Sequence, residues 1–297
     1  MSEAPIPLDT LNSADKAAFV AAMGGIYEHS PWVAETVAGR RPFSNLAVLH
    51  DAMRAALLTT DDARKRAVLN AHPDLAGKAA RAGALTPDSK SEQGSAMLDR
   101  LNEEEFAALH RLNGAYREKF GFPFIICVRR HTKDSIFQQF ERRLRNDLSA
   151  EFETALTEVG RIAALRLDQH VSAPERLKVH GRLSTHVLDT YHGRPAQGVA
   201  IELHELSLSG EGRLVTRTTT NADGRTGAPL VAGRPLPIGR YELRFAIGEY
   251  FATETAAVAD PPFLDVVPVR FAIAEAEGSY HVPLVATPWS YATYRGS

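Results

Sequence analysis

A single cysteine, Cys127, stands among 297 residues, which excludes an intrachain disulfide and any cysteine-rich zinc site. It lies in the apolar run Phe122-Pro-Phe-Ile-Ile-Cys-Val128, where a thiol packs as a small, inert hydrophobe. No apolar run approaches the ~20 residues that a membrane-spanning helix needs. The start, Met1-Ser-Glu-Ala-Pro-Ile-Pro7, lacks the basic segment and apolar stretch of a secretion leader. Charge of one sign is missing too: 34 basic and 36 acidic residues give a formal net charge of -2. That balance leaves no electrostatic footprint for nucleic acid or an anionic membrane, although local arginines can still hold a small anion. A reducing cytoplasm is the expected setting. With 44% hydrophobic and 24% charged residues the chain is globular, and its length suits two domains with separate cores.

The hydrophobic period changes once. From Leu11 to about Gln169 apolar residues recur at helical spacing, as in Leu46, Leu49, Met53, Ala56 and Leu57, with Ser44 as the expected N-cap. Asn102 followed by Glu103-Glu104-Glu105 has the form of a capping box. A last helix is expected from Ser149 to Arg166, with Phe152, Leu156, Val159 and Ala163 on one stripe. After about residue 170 the alternation is that of half-buried strands: Val199, Ile201 and Leu203; Tyr241, Leu243, Phe245 and Ile247; Val267, Val269, Phe271 and Ile273. Turn signals such as Asn221-Ala-Asp-Gly224 lie between them, which suggests a β-sandwich. The expected organisation is an all-α domain over residues 1–169, a linker at 170–177 and an all-β domain over 178–297.

Three features mark the helical half. His72 in Ala71-His-Pro-Asp-Leu75 sits where Pro73 must end a helix. Ser89-Lys-Ser-Glu92-Gln93 follows a Thr86-Pro87 helix start, and Phe120-Gly-Phe-Pro-Phe-Ile-Ile126 is an unusually apolar connection. Singly, each has a plain structural reading: a helix-end histidine on free carbonyls, a solvated glutamate, core packing. Together with Arg142-Arg-Leu-Arg-Asn146 and Glu158-Val-Gly-Arg-Ile-Ala-Ala-Leu-Arg166, in this order, they resemble the 2-oxo-4-hydroxy-4-carboxy-5-ureidoimidazoline (OHCU) decarboxylase family. The resemblance implies cofactor-free loss of a carboxylate to give (S)-allantoin. It makes His72 the acid/base, Glu92 its polar partner and Arg166 an anion anchor. Pro73, Ser89, Gln93 and the wall Phe124, Ile125, Ile126, Cys127 and Val128 would bind substrate. Developing negative charge on the ring needs fixed donors, and a histidine titrating near neutrality can move the proton.

The β half opens with Leu183-Ser-Thr-His186-Val-Leu-Asp189 and ends with Tyr280-His281-Val-Pro-Leu284 and Tyr294-Arg-Gly-Ser297, with Asn221-Ala-Asp-Gly-Arg225 between. By alternation His186 shares a face with Arg182 and Ser184, away from the core; alone it reads as a solvent-facing edge residue. The set resembles the 5-hydroxyisourate hydrolase family, the enzymatic relatives of transthyretin, and the terminal tetrapeptide separates those hydrolases from the hormone carriers. The resemblance implies a transthyretin-like β-sandwich, a tetramer with sites between subunits, and an active-site set of His186, Arg225, His281 and Ser297. Two histidines would activate water, and Arg225 would neutralise the developing oxyanion or grip the ring carbonyls. No Gly-x-Ser-x-Gly elbow and no His-x-x-x-His pair is present, so neither a serine nucleophile nor a metal is expected. Ser279 and Trp289 depart from the commoner family residues, which bears on substrate geometry near them.

The two resemblances are consecutive: the hydrolase would convert 5-hydroxyisourate to OHCU and the decarboxylase would consume it, with no cofactor. Self-association is expected through the sandwich, and the helical family allows a dimer as well. Competing readings are a transthyretin-like carrier, a scaffold, or a chain with only one active domain.

Overall fold

The computed structural model describes residues 4–77, 85–96, 98, 101–255 and 258–296. It divides into two compact units, Met1–Arg129 with Ser135–Val179, and Arg130–Asp134 with His180–Ser297. Among the described residues no helix is long and apolar enough to cross a membrane.

The first unit is helical. Its longest helix, Leu148–His170, starts on Asp147, whose carboxylate accepts from the Ala150 N–H. Ala155, Leu156, Val159, Gly160, Ala163, Leu165 and Leu167 are all buried along it, more than the single apolar stripe expected. Its buried Glu151, Glu158 and Asp168 each accept from an arginine or a backbone N–H, and its buried Arg166 donates to a carboxylate, as buried charges must be paired. Packed around it are Leu46–Thr59, Asp62–Ala71 and Glu103–Phe120 among other helices. Leu46–Thr59 is capped by Asn45 rather than Ser44: its side chain accepts from the Val48 N–H at 2.9 Å. The Asn102–Glu105 capping box is closed in both directions, and Gly121, at φ +76°, ends that helix.

Residues 170–177, the expected linker, are part of the first unit. Val171–Ser172 pairs in parallel with Ile6–Pro7, and Asp168 accepts from both Arg176 and the Leu177 N–H.

In the second unit an antiparallel sheet runs in the order Val266–Ile273, Gly239–Ala246, Ala200–Leu206, Gly212–Thr219. Two smaller sheets share a pair of interrupted strands. Gly181–Ser184 and Val187–Asp189 pair in parallel with Ser279–His281 and Leu284–Ala286. The inward faces of these sheets bury Leu183, Val187 and Leu284 in one cluster with Leu203, Leu243, Phe245 and Val269. At the interruption, Thr185 donates to the Val282 carbonyl at 2.6 Å and the Leu284 N–H donates to the His186 carbonyl at 2.8 Å. The fold is therefore a helical unit followed by a strand-rich, transthyretin-like one. One departure is the helix Ile247–Glu254: alternation ends at Ile247, and Ile247, Tyr250 and Phe251 are buried at helical spacing instead.

The turn before Arg225 depends on Gly224. Its φ is +68°, and a Cβ there would stand 2.3 Å from the Val187 carbonyl oxygen. Gly224→Ala is expected to destabilise the second unit by at least ~2 kcal/mol, since strain and a backbone clash add. Denaturant unfolding followed by the sheet signal checks this; an unchanged midpoint would refute it.

Two candidate active sites

The helical unit gathers its site from four segments. Asp62–Ala71 ends at His72, which is held in extended backbone at φ -77°, ψ 138° by the following Pro73. Its Nδ1 lies 2.9 Å from the Val68 carbonyl oxygen. A carbonyl can only accept, so Nδ1 carries the proton and Nε2 keeps a free lone pair when the ring is neutral. Helix Pro87–Ser95, capped by Thr86 with Pro87 in its first turn, puts Ser89, Glu92 and Gln93 on one face by their i, i+3, i+4 spacing. Helix Leu148–His170 supplies Arg166, and the fourth segment is the wall from Phe124 to Val128. The wall's backbone is pinned by buried ions: Arg143 Nη1 donates to the Ile125 carbonyl at 2.7 Å, and Glu158 Oε2 accepts from the Cys127 N–H at 2.8 Å. Behind it Phe124 stacks on Phe140 with ring centroids 3.7 Å apart.

These segments line one open cleft. His72, Pro73, Ser89, Glu92, Gln93, Phe124, Ile125, Ile126, Val128 and Arg166 all face the cleft. Of the expected set only Cys127 is not among its lining residues; its backbone serves the wall instead. The Gln93 carbonyl accepts from the Ala76 N–H at 2.9 Å, which turns its NH₂ the other way. Ala76 itself is held at φ +47°, a conformation that costs a non-glycine residue energy and often marks a binding site.

Two expected roles change. Glu92 does not orient His72; the Val68 carbonyl does, while Glu92 meets Arg166 in a fork at 2.8 and 3.0 Å. Arg166, only 2% exposed, also donates to Glu28 Oε2 at 2.7 Å. The sequence reading missed Glu28. It accepts from Thr86 at 2.9 Å and from Ser89 at 3.2 Å, residues about 60 positions away. Its only local signal is an acid among the apolar neighbours Ile26, Tyr27 and Trp32. One guanidinium thus serves two carboxylates, the buried Glu28 and the half-buried Glu92. Burial opposes ionisation of Glu28, but Arg166 and Thr86 hold its carboxyl below the usual range. Burial pushes the Glu92 carboxyl up, with Arg166 opposing. His72 does not titrate near neutrality: burial drives it down to about 4, against the pull of the Val68 carbonyl and Glu28.

In the second unit His186 and His281 come together from strands 95 residues apart, with His186 Nδ1 2.6 Å from His281 Nε2. The rings are nearly parallel, at 20°, with centroids 4.8 Å apart. Arg225 faces His186 through an antiparallel bridge. The Asn221 side chain accepts from the Arg225 N–H at 3.1 Å, so the turn fixes that register. Gly296 bridges to His281, and a Cβ on it would lie 2.8 Å from the imidazole, so only glycine lets the chain end lie against the ring. Ser297 lies outside the described residues. Burial lowers the affinity of both histidines for a proton, assisted at His186 by His281 and Arg225, and at His281 by Arg225 and Arg182. His281 uses both ring nitrogens, with Ser184 Oγ 2.9 Å from Nδ1. Among the described residues, His186 Nε2 is the nitrogen left for a ligand.

A family model described as OHCU decarboxylase matches residues 12–168, and one described as the HIUase/Transthyretin family matches residues 183–296. The chain is 42% identical over 168 residues to a 2-oxo-4-hydroxy-4-carboxy-5-ureidoimidazoline decarboxylase of Haloferax volcanii, covering 57% of this chain and 98% of that protein. It is 55% identical over 119 residues to a 5-hydroxyisourate hydrolase of Deinococcus radiodurans, covering 40% of this chain and 98% of that one. A crystal structure of (S)-allantoin synthase aligns with 99% of this chain and 100% of its own, at 36% identity and a TM-score of 0.55.

His72 also links stability to pH. Its folded pKa of about 4 lies below the ordinary 6.5, so below pH 6.5 the unfolded chain binds this proton more readily. The contribution is fully present above 6.5 and is lost as pH falls towards 4, on the order of 3 kcal/mol in all. The stability of the helical unit should fall as pH drops through that window, and His72→Gln should flatten the dependence. Parallel pH profiles for the two proteins would count against a neutral, buried His72.

Proposed function

Because the chain belongs to the OHCU decarboxylase family over residues 12–168 and to the HIUase/transthyretin family over residues 183–296, we propose that it performs both reactions in sequence. It is a bifunctional enzyme of urate catabolism: the second unit hydrolyses 5-hydroxyisourate to OHCU, and the first decarboxylates OHCU to (S)-allantoin. The observation that carries this reading is the end-to-end likeness to (S)-allantoin synthase.

Hydrolysis is read as follows. His186 Nε2 takes a proton from water as the oxygen attacks the ring carbonyl, and Arg225 faces the oxyanion that forms. The carbon–nitrogen bond then breaks, the leaving nitrogen receives the proton back from the histidine pair, and a carboxylate and a ureido group remain. Those are the carboxy and ureido groups of OHCU. Ser297 belongs to this set by family resemblance.

In the helical unit the cleaved bond joins the ring to the carboxylate. CO₂ departs, and its electron pair enters the unsaturated ring, where Gln93 and the Arg166–Glu92 fork are placed to bind. Neutral His72 accepts the substrate's hydroxyl proton at Nε2 and returns it to the neighbouring ring carbon from one face, which sets the product's handedness; solvent supplies the net proton. The apolar wall excludes water, which strengthens each polar contact. Pro73, Ser89 and the Phe124–Val128 wall shape the cleft, with Cys127 contributing backbone only.

Self-association through the second unit, as a tetramer, belongs to the same proposal. Its support is that both edge strands of the large sheet expose apolar side chains, Leu214 and Val266. A dimer through the helical unit and a cytoplasmic setting remain parts of the proposal that rest on the sequence.

The test is to add the protein to fresh urate with urate oxidase and follow optical rotation. Rapid appearance of (S)-allantoin is expected. His72→Ala should hold the reaction at OHCU, with decarboxylation reduced at least ~100-fold, and His186→Ala should hold it at 5-hydroxyisourate to a similar degree. A carrier or scaffold would instead leave both intermediates to decay to racemic product.

A further inference from the structure

The hydrolase site contains a third member that the paired histidines do not explain. Ser184 is the last residue of Gly181–Ser184, two residues before His186, and its Oγ lies 2.9 Å from His281 Nδ1. The strand holds it there through its backbone: Val282 N–H donates to the Ser184 carbonyl at 3.0 Å, and Ser184 is in register with His281 across the parallel pair. The connected atoms are therefore Ser184 Oγ, His281 Nδ1, His281 Nε2, His186 Nδ1 and finally the open His186 Nε2. We propose that Ser184 is a positioning residue for the hydrolytic base, accepting the His281 Nδ1–H so that the lone pair of His186 Nε2 faces the attacking water.

The inference follows from the possible proton arrangements. Two neutral imidazoles joined at 2.6 Å share one hydrogen, and its position fixes every other one along the line. If His186 Nδ1 donates, His281 Nε2 accepts, so His281 Nδ1 must carry a proton and needs an acceptor. A hydroxyl oxygen provides it, and His186 Nε2 is then unprotonated and basic. In the opposite arrangement Ser184 donates, His281 donates to His186, and His186 Nε2 is blocked by its own hydrogen. A hydroxyl can both donate and accept, so Ser184 permits either state and lets the pair pass between them. When water gives up its proton to His186 Nε2, the charge spreads along the same line, and Ser184 again accepts from Nδ1. No bond to carbon forms at Ser184, so it stays outside the covalent chemistry. The charged and titratable groups around His281 are His186, Arg182 on the same strand as Ser184, and Arg225 from the facing turn. Arg295, near the chain end, lies over the Tyr280 ring instead. The arginines disfavour a protonated pair and the Ser184 backbone opposes them, while the Ser184 hydroxyl is the side-chain group at hydrogen-bond distance from Nδ1.

This inference rests on the hydrolase reading of the site. The test uses the full chain, with Ser184→Ala and Ser184→Thr measured for hydrolysis of freshly generated 5-hydroxyisourate across pH, and decarboxylation of OHCU as the internal measure of folding. Ser184→Ala should lower the plateau kcat about tenfold with KM little changed, a fraction of what a general base is worth. Loss of the acceptor weakens the pair's hold on a proton, so the acidic limb of its rate profile should move to lower pH. Ser184→Thr, which keeps the hydroxyl, should restore both. A lowered plateau with an unmoved limb, or no rescue by threonine, would show Ser184 to be merely structural and overturn the inference. Full activity of Ser184→Ala would do the same. Absence of hydrolysis in the unaltered chain would remove the hydrolase reading itself, a separate outcome.

Discussion

Each site depends on an imidazole with one nitrogen already committed. An unconstrained histidine exists as two tautomers and can turn its ring, so a free lone pair points nowhere in particular. In the helical unit the Val68 carbonyl takes the Nδ1 proton of His72, and in the second unit His281 holds Nδ1 of His186. Among the described residues, the remaining Nε2 is in both the nitrogen left for a substrate. The folds reach this state by different routes. His72 is fixed by a helix end that Pro73 cannot continue, so the carbonyl it bonds belongs to its own last turn. His186 is fixed by a parallel pair of interrupted strands, so its partner comes from the far end of the domain.

The surroundings then decide how each imidazole meets its proton. Near His72 the charges are two carboxylates and one guanidinium, with Glu28 and Arg166 buried and Glu92 partly so, and Arg166 cannot satisfy Glu28 and Glu92 equally. Glu28 has hydroxyl donors from Thr86 and Ser89 in addition to Arg166, which favours the ionised form. Glu92, at the cleft, is the carboxyl on which burial falls hardest. A site arranged this way keeps its fixed negative charge away from the substrate's carboxylate and leaves Glu92 more ready to hold a proton near it.

Much of this was readable in the sequence, and the unreadable parts share a cause. His72 and its helix end follow from His-Pro, and Ser89, Glu92 and Gln93 follow from helical spacing, because each is a local consequence of backbone rules. The strands around Leu203, Leu243 and Val269 follow from alternation. Glu28 was invisible because its partners are Thr86, Ser89 and Arg166, which no periodicity connects to it. The pairing of Glu92 with Arg166 was unreadable for the same reason: a residue's charge can be read locally, but its partner cannot. The helix Ile247–Glu254 was lost for a different reason. Ile247 completes a strand-like alternation that began at Tyr241, and only Tyr250 and Phe251 beyond it show the change of period.

Joining the units has a kinetic logic that does not depend on their arrangement. The product of the second unit is the substrate of the first and decays without help to a racemic product, so the decarboxylase must meet it before solvent chemistry does. A shared chain raises the local concentration of the second catalyst around each product molecule. Proximity by tether is useful only if the slower step is capture rather than chemistry. A neutral His72 suits that demand: at neutral pH nearly every copy of the site already has an open lone pair, so few encounters are wasted on a protonated ring. The depressed affinity of His186 and His281 for protons acts in the same direction. Both halves are thus ready over one pH range, and a fused enzyme needs that more than separate enzymes do, because it cannot adjust the amount of one activity against the other.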